Sequence, residues 1–392
     1  MMHELKLTPR DPLIARDGRP FGAGQGQRMR SLDWFYPSVV AGSLRTLLGK
    51  QTDPSFSADT IKVLKALSIS GPLPIVDDTL FFPRPHDCLV SGQDRLGHSI
   101  RPMTFQEGEG SDLPDGLHPV LLPDGVEDFK PIKNPPAFWS GKKMVQWLIR
   151  ASKIQIPDES LVSDGFLDAP PRDLRFHVKM DPNTGAGLKE DALFLTAGLD
   201  LSRKNHSIPI CLSVRVNADN GFSKALQGLN TMHPMGGERR LVHWQSQQSR
   251  DLWQYPKDIK NALSGASCVR MILASPAIFA NGWKPGWLKN ATHGLEGEPP
   301  GLKVKLRLIG VIIDRWLPLS GWSLEAPVGP KAVRRMVPAG GTYFFKVVDN
   351  NAQDLTPGWL QSVCDEEQDR RDGFGLALWG VWNEHDLKNK EG

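Results

Sequence analysis

Apolar positions along this chain repeat with two periods, and the switches between them mark out its elements. In "YPSVVAGSLRTLLGK" Val40, Leu44, Leu47 and Leu48 fall at helical spacing and give one apolar face. Pro37 suits the first turn of that helix, and Gly49 is expected at its C′ position. Ala41, Gly42 and Ser43 are small enough to let it lie close on a sheet. A second helix is expected in "SGKKMVQWLIRASK", where Met144, Trp147, Leu148 and Ala151 share a face. In "RFHVKMD" the period becomes two. Phe176, Val178 and Met180 alternate with Arg175, His177 and Lys179, which predicts a strand with an apolar face and a basic face. "DPNTG" is a turn by composition, and "DALFLTAGLDL" supplies the return strand. "IPICLSVRVNA" repeats the alternation, with Ile210, Leu212, Val214 and Val216 on one side.

Further strands are expected in "MGGERRLVHWQS", "SCVRMILASPAIF", "LKVKLRLIGVIID", "RRMVPAGGTYFFKVV" and "GFGLALWGVW". Short helices are expected at "GFSKALQGLN" and "TPGWLQSVCDEE". Strands interleaved with helices in this way suit an α+β sheet protein. At 392 residues the chain is long for one core, so two domains are expected. The polar stretch from Ser246 to Ser267 divides them, giving domains over 1–250 and 251–392. The Pro-, Gly- and Asp-rich stretch of about 71–171 reads as an insertion into the first.

Composition narrows the classes. Hydrophobic residues make up 40% and charged residues 23%, the balance of a soluble globular protein. The abundance of Gly (38) and Pro (32) argues against a helical bundle. Net charge is only +3, so any nucleic acid is held by local patches rather than by a basic whole. Cys88, Cys211, Cys268 and Cys364 are far apart and suggest isolated thiols in a reducing cytosol. The N-terminus lacks an apolar signal core and no run is long enough to span a membrane, so a cytoplasmic location is expected. There is no H-E-x-x-H, P-loop, G-x-S-x-G or paired Cys/His spacing, and neither a metal nor a cofactor is expected.

The candidate chemistry is that of phosphate contact. "GAGQGQRMR" sets Gly22, Gly24 and Gly26 just ahead of Arg28 and Arg30. Glycines let backbone amides approach a phosphate, and guanidiniums neutralise it and hydrogen-bond to it. A plain surface loop reads the same way. "DGFGLALWGVW" matches an RRM's RNP1 strand at Gly373, Phe374 and Gly375 but departs from it at Asp372, Leu376, Ala377 and Trp379. An apolar terminal strand accounts for its other residues. Basic strand faces are expected at Arg175, His177 and Lys179 and at Lys303, Lys305 and Arg307, with Arg pairs at Arg239–Arg240 and Arg334–Arg335. Each alone is most simply a solvated face; together they favour a surface that tracks an RNA backbone. His177 is the one histidine placed for RNA cleavage, although no acid–base partner for it stands out.

In this order, the pieces resemble the repeat-associated (RAMP) superfamily of CRISPR proteins. "PSVVAGSLRTLLG" is similar to its first helix, "HVKMDPNTGAGLKEDALF" to its hairpin, "MGGERRLV" to its central glycine turn and "DGFGLALWGVW" to its C-terminal Gly-rich loop. "RDPLIARDGRPFGAGQGQ" and "VPAGGTYFF" further resemble the type III-B (Cmr) subunit that caps the guide RNA. The resemblance runs from Arg10 to Trp382 and implies two ferredoxin-like (RRM-like) domains, with no catalytic site and no cofactor. Implied partners are the 5′ handle of the crRNA, the large palm-domain subunit and the first backbone RAMP subunit of a ribonucleoprotein complex for antiviral defence. Gly22, Gly24, Gly26, Gly373, Phe374 and Gly375 would approach RNA. Arg28, Arg30, His177, Lys179, Arg239, Arg240, Arg334 and Arg335 would contact phosphates or bases. A metal-independent repeat-RNA processing endoribonuclease of the same superfamily is the enzymatic rival, and a protein-only scaffold is the other.

Overall fold

The computed structural model describes residues 1–16, 31–103, 112–114, 116–122, 130–150, 153–158, 162–187, 193–202, 208–218, 221–248, 251–323 and 328–383. It forms two compact units.

The first unit comprises Met1–Asp77, Ala169–Ser249 and Pro318–Arg335. Its strands are β1 (Met2–Pro9), β2 (Ser68–Val76), β3 (Arg172–Val178), β4 (Leu193–Leu199), β5 (Cys211–Asn217), β6 (Asn230–Pro234) and β7 (Leu241–Gln247). Five of them lie antiparallel in the order β2-β5-β1-β7-β6. Alternation decides which side is inside. Leu5 and Leu7 of β1, Leu212, Val214 and Val216 of β5, and Val242 and Trp244 of β7 are buried. Glu4, Lys6, Arg215 and His243, at the intervening positions, are half-buried.

Helix α1 (Pro37–Thr52) leads from β1 towards β2, and α2 (Ala58–Ala66) follows it. α1 begins with Pro37 in its first turn and buries Val40, Ala41, Leu44, Leu47 and Leu48, the face its spacing predicts. Gly49 does not end it. The helix continues to Thr52, and a Cβ at 49 would sit 2.4 Å from the Phe56 ring, so this glycine makes room for the chain folding back.

The second unit comprises Asp78–Asp168, Arg250–Leu317 and Met336–Gly392. Its main sheet contains β8 (Cys268–Leu273), β9 (Lys289–Ala291), β10 (Gly294–Gly297), β11 (Lys305–Ile312), β12 (Thr342–Asp349) and β13 (Ala377–Val381). They lie in the order β9-β10-β11-β12-β8-β13. The four strands β1, β2, β5, β7 of the first unit and β8, β11, β12, β13 of the second thus share one order: second, third, first, fourth. Helix α3 (Gly141–Arg150) packs on β13, closely enough that a Cβ at Gly380 would lie 2.5 Å from the Leu148 carbonyl oxygen. Helices α4 (Lys257–Leu263) and α5 (Glu367–Asp372) precede β8 and β13.

This division corrects the expected boundaries. Residues 78–168 belong to the second unit and not to an insertion in the first. The physical reason is a buried polar knot. Asp87 and Arg270 are both fully buried, and the Arg270 Nη1–H donates to Asp87 Oδ2 at 2.6 Å. Trp147 Nε1–H donates to the other carboxylate oxygen at 2.9 Å. The second guanidinium nitrogen of Arg270 donates to the Trp147 carbonyl, and its plane lies 5.6 Å from the indole centroid. Pro- and Gly-rich composition hid from view a segment that supplies one sheet with its helix and its counter-ion.

The four cysteines are free and buried. Burial pushes the Cys364 thiol up to about 12 and the Cys88 thiol upward too, which leaves little thiolate for chemistry. Among the described residues no helix is long and apolar enough to cross a membrane, and no three His, Cys, Asp or Glu side chains gather where they could hold a metal.

Candidate nucleic-acid interface

Among the described residues β3 and β4 form a two-stranded ribbon, in register from Arg172 opposite Leu199 to Val178 opposite Leu193. The expected alternation is present, and the apolar face is not covered. The apolar side, with Leu174, Phe176, Val178, Met180 and Leu193, faces solvent; Phe176 is 73% exposed. A ribbon with no layer packed on it leaves one of its faces in water however apolar that face is. The other side is partly used internally. His177 Nε2 lies 2.8 Å from the Thr196 hydroxyl, and its ring stacks on Phe194 at 5.2 Å. Arg175 is ion-paired with Asp173. Lys179 is exposed at the end of the row.

The root of the ribbon is fixed by the first strand's continuation. Leu13 and Leu199 exchange backbone hydrogen bonds of 3.0 and 2.7 Å. The next residue, Ile14, accepts at its carbonyl from Gly237 N–H at 2.7 Å. Gly237 belongs to the turn that joins β6 to β7, closed by Met235 N–H to the Arg240 carbonyl at 2.9 Å. Glu238 and Arg239 both have positive φ, 56° and 48°, in a turn that leaves Arg239 exposed and Arg240 half-buried. Gly236 is required here, with φ +77° and a Cβ position 2.2 Å from the Ile14 oxygen. Gly236→Ala is therefore expected to lower stability by roughly 1–3 kcal/mol. A urea midpoint equal to the parent's would mean that the turn relaxes without strain.

Arg16 and Ser31 pair as an isolated bridge two residues beyond Ile14, and Leu32 N–H donates to the Ala15 carbonyl at 2.8 Å. Gly22, Gly24, Gly26, Arg28 and Arg30 lie outside the described residues, between ends that meet beside the arginine turn. The first unit therefore brings together the ribbon's root, the Arg239–Arg240 turn and both ends of the Gly/Arg-rich segment. Exposed apolar residues on the ribbon are the part that alternation alone misses, because the pattern does not say whether a layer covers the strand.

Other expected contacts go elsewhere. Gly373, with φ +92°, closes α5, and Gly375, with φ +66°, lets the chain pass where a Cβ would lie 2.6 Å from Cys364 Sγ. Phe374 between them is only 1% exposed, so its ring offers no face to a base. These three residues are explained by packing. On β11, Lys305 and Arg307 are ion-paired with Glu296 of β10 at 2.9 and 2.7 Å, which holds that carboxyl below its usual range through hydrogen bonds and charge. One carboxylate thus offsets part of that basic face. Arg334 and Arg335 lie in a separate segment of the first unit, away in sequence from the arginine turn.

A family model described as CRISPR-associated protein (Cas_Cmr3) matches residues 5–382. The chain belongs to this family. It is thus a RAMP-type subunit of the Cmr, type III, class of CRISPR effector complex. Among solved structures, similar chains occur in a cryo-EM structure of type III-B Cmr-beta bound to cognate target RNA and AMPPnP. That match has 13% identity and a TM-score of 0.45, and covers 87% of this chain and 86% of the other. Another lies in a crystal structure of the Csm3–Csm4 subcomplex of a type III-A interference complex. It has 11% identity and a TM-score of 0.42, and covers 97% and 99%. No match was found among curated proteins.

Proposed function

We propose that this Cmr3-family chain is a non-catalytic subunit that binds the 5′ handle of the crRNA. It docks on the large palm-domain subunit of a type III-B ribonucleoprotein and neighbours the first backbone subunit. One observation carries the reading: the arginine turn, the root of the ribbon and both ends of the Gly/Arg-rich segment converge in a single unit. Guanidiniums at Arg239, Arg240, Arg28 and Arg30 would hold phosphates, with backbone amides around Gly22, Gly24 and Gly26 close to them. Exposed Phe176 on one face of the ribbon and Lys179 on the other offer an aromatic ring and a cation, groups that suit unpaired nucleotides. The shared strand order supports the reading of each unit as a ferredoxin-like domain. His177 is engaged by Thr196 and Phe194, which favours contact over cleavage.

The test is photo-crosslinking of guide RNA in a complex reconstituted with the large subunit. Handle nucleotides are expected to attach to peptides covering 172–199 and 235–240. A complex that assembles with no guide nucleotide attached to this chain would make it a scaffold. Metal-independent cleavage of repeat RNA, abolished by His177→Ala, would make it the processing nuclease.

A further inference from the structure

The sheet of the first unit ends in an exposed polar corner. Among the described residues β6 is its edge strand, and the turn that joins β6 to β7 is the one that carries Arg239 and Arg240. Strand pairing sets the outward side chains of three strands in rows. Lys6 of β1 stands opposite Gln245 of β7, and Gln245 opposite Asn230 of β6. In the next row Thr8 stands opposite His243, and His243 opposite Met232. Leu241 and Pro234, the pair beside the turn, come after them. Directly paired residues of antiparallel strands share a face, and these positions alternate with the buried Leu5, Leu7, Val242 and Trp244. Asn230, Met232, Leu241 and Gln245 are exposed; Lys6, Thr8 and His243 are half-buried.

One hydrogen bond presets this corner. A carbonyl oxygen only accepts, so His243 Nε2–H donates to Asn230 Oδ1, at 2.6 Å. In the neutral ring that leaves His243 Nδ1 as an acceptor, and the Asn230 amide keeps its N–H donors, with the Gln245 amide alongside. Among the described residues these groups have no other partner, and Lys6 is in no ion pair. The two rows hold no carboxylate; Glu4 lies one row further on, opposite Gln247.

We propose that this corner reads one unpaired base of the guide RNA. Asn230 and His243 hydrogen-bond to the base edge, Met232 lies against the ring and Lys6 meets a neighbouring phosphate. The inference rests on the proposed function and deepens it, adding a base-reading site beside the turn that holds phosphates. Adjacent strands lie about 4.8 Å apart, so a three-strand row spans about 10 Å, room for one nucleoside. Unpaired bases are read by hydrogen bonds to their edges and by packing against aromatic or apolar side chains. Protein interfaces centre on Trp, Tyr or Arg anchors, and these rows have none.

The experiment is a double-mutant cycle between side chains and bases. Guides in which each handle nucleotide in turn is made abasic are titrated into the complex of this chain with the large palm-domain subunit, using parent and Asn230→Ala/His243→Ala chains. Both side chains lie on the solvent side of the sheet, so melting temperatures should match the parent's. With the intact guide the double variant is expected to bind about tenfold more weakly. At one handle position, removing the base should cost the parent a similar factor and the variant almost nothing. Measured at about pH 8, where imidazole is neutral, the variant should keep the parent's slope of log affinity against log salt. Lys6→Gln, by contrast, should flatten that slope by about 0.7. Equal losses in parent and variant at every handle position would overturn the base-reading site and leave handle binding by the arginine turn intact. Weaker binding of the variant to the large subunit in the absence of guide would overturn it in favour of a protein contact. A parent complex that retains no guide would sink the proposed function itself, and this site with it.

Discussion

Arg270→Ala lowers the stability of the second unit by about 3–5 kcal/mol, the cost expected when one partner is removed from a buried ion pair. Arg270 stands on β8, between β12 and β13, with its side chain fully buried. Its ionic partner is Asp87, itself without solvent contact. With the guanidinium gone, Asp87 keeps the neutral donor Trp147 Nε1–H at 2.9 Å against the desolvation of a full negative charge. The Trp147 carbonyl also loses the donor Arg270 gives it. Asp87→Ala should cost a similar amount, because it strands the opposite charge. The double form Arg270→Met/Asp87→Leu should recover most of the loss, since a well-packed apolar pair can replace a buried ionic one at little cost. Urea unfolding followed by tryptophan fluorescence, with hydrogen exchange of β8 to assign the transition, measures all three. A single-mutant loss under about 1 kcal/mol would mean that water reaches this site and that the knot does not hold 78–168 to its sheet.

That knot also shows where reading the sequence reaches its limit. Local rules found α1, because Pro37 and the spacing of Val40, Leu44, Leu47 and Leu48 act within a few turns. They misjudged Gly49, whose reason is the Phe56 ring seven residues on. They found β3, its alternation and a return strand in β4, but not that the apolar face stands in solvent, since nothing local tells whether a layer will cover a strand. The second unit was hardest to see. Asp87, Trp147 and Arg270 are widely separated along the chain, and only the folded chain shows that two of them share one carboxylate's charge. The basic row on β11 failed for the same reason: Glu296, its counter-ion, comes from another strand. The arginine turn fared better, because Gly236 and Gly237 beside Arg239 and Arg240 already announce a tight, exposed bend.

The arginine turn bears the largest expected effect on RNA. Arg239→Glu/Arg240→Glu should weaken binding of the guide's 5′ handle in the assembled complex by about 30-fold or more near physiological salt, through loss of two phosphate contacts and added repulsion. Salt dependence separates this from a folding defect. Each phosphate contact to a single strand contributes about 0.7 to the slope of log affinity against log salt, so Arg239→Gln/Arg240→Gln should flatten the slope by about 1.4. Glutamine keeps a polar end on a shorter stem and puts no new charge beside Glu238, so the turn should survive. Lys305→Gln is the matched control. It also removes a surface cation, but one already paired with Glu296, and should leave both affinity and slope where they were. If the two glutamines at 239 and 240 change the slope no more than Lys305→Gln does, the phosphates are held elsewhere. The convergence of the turn with the ends of the Gly/Arg-rich segment would then be a matter of folding alone.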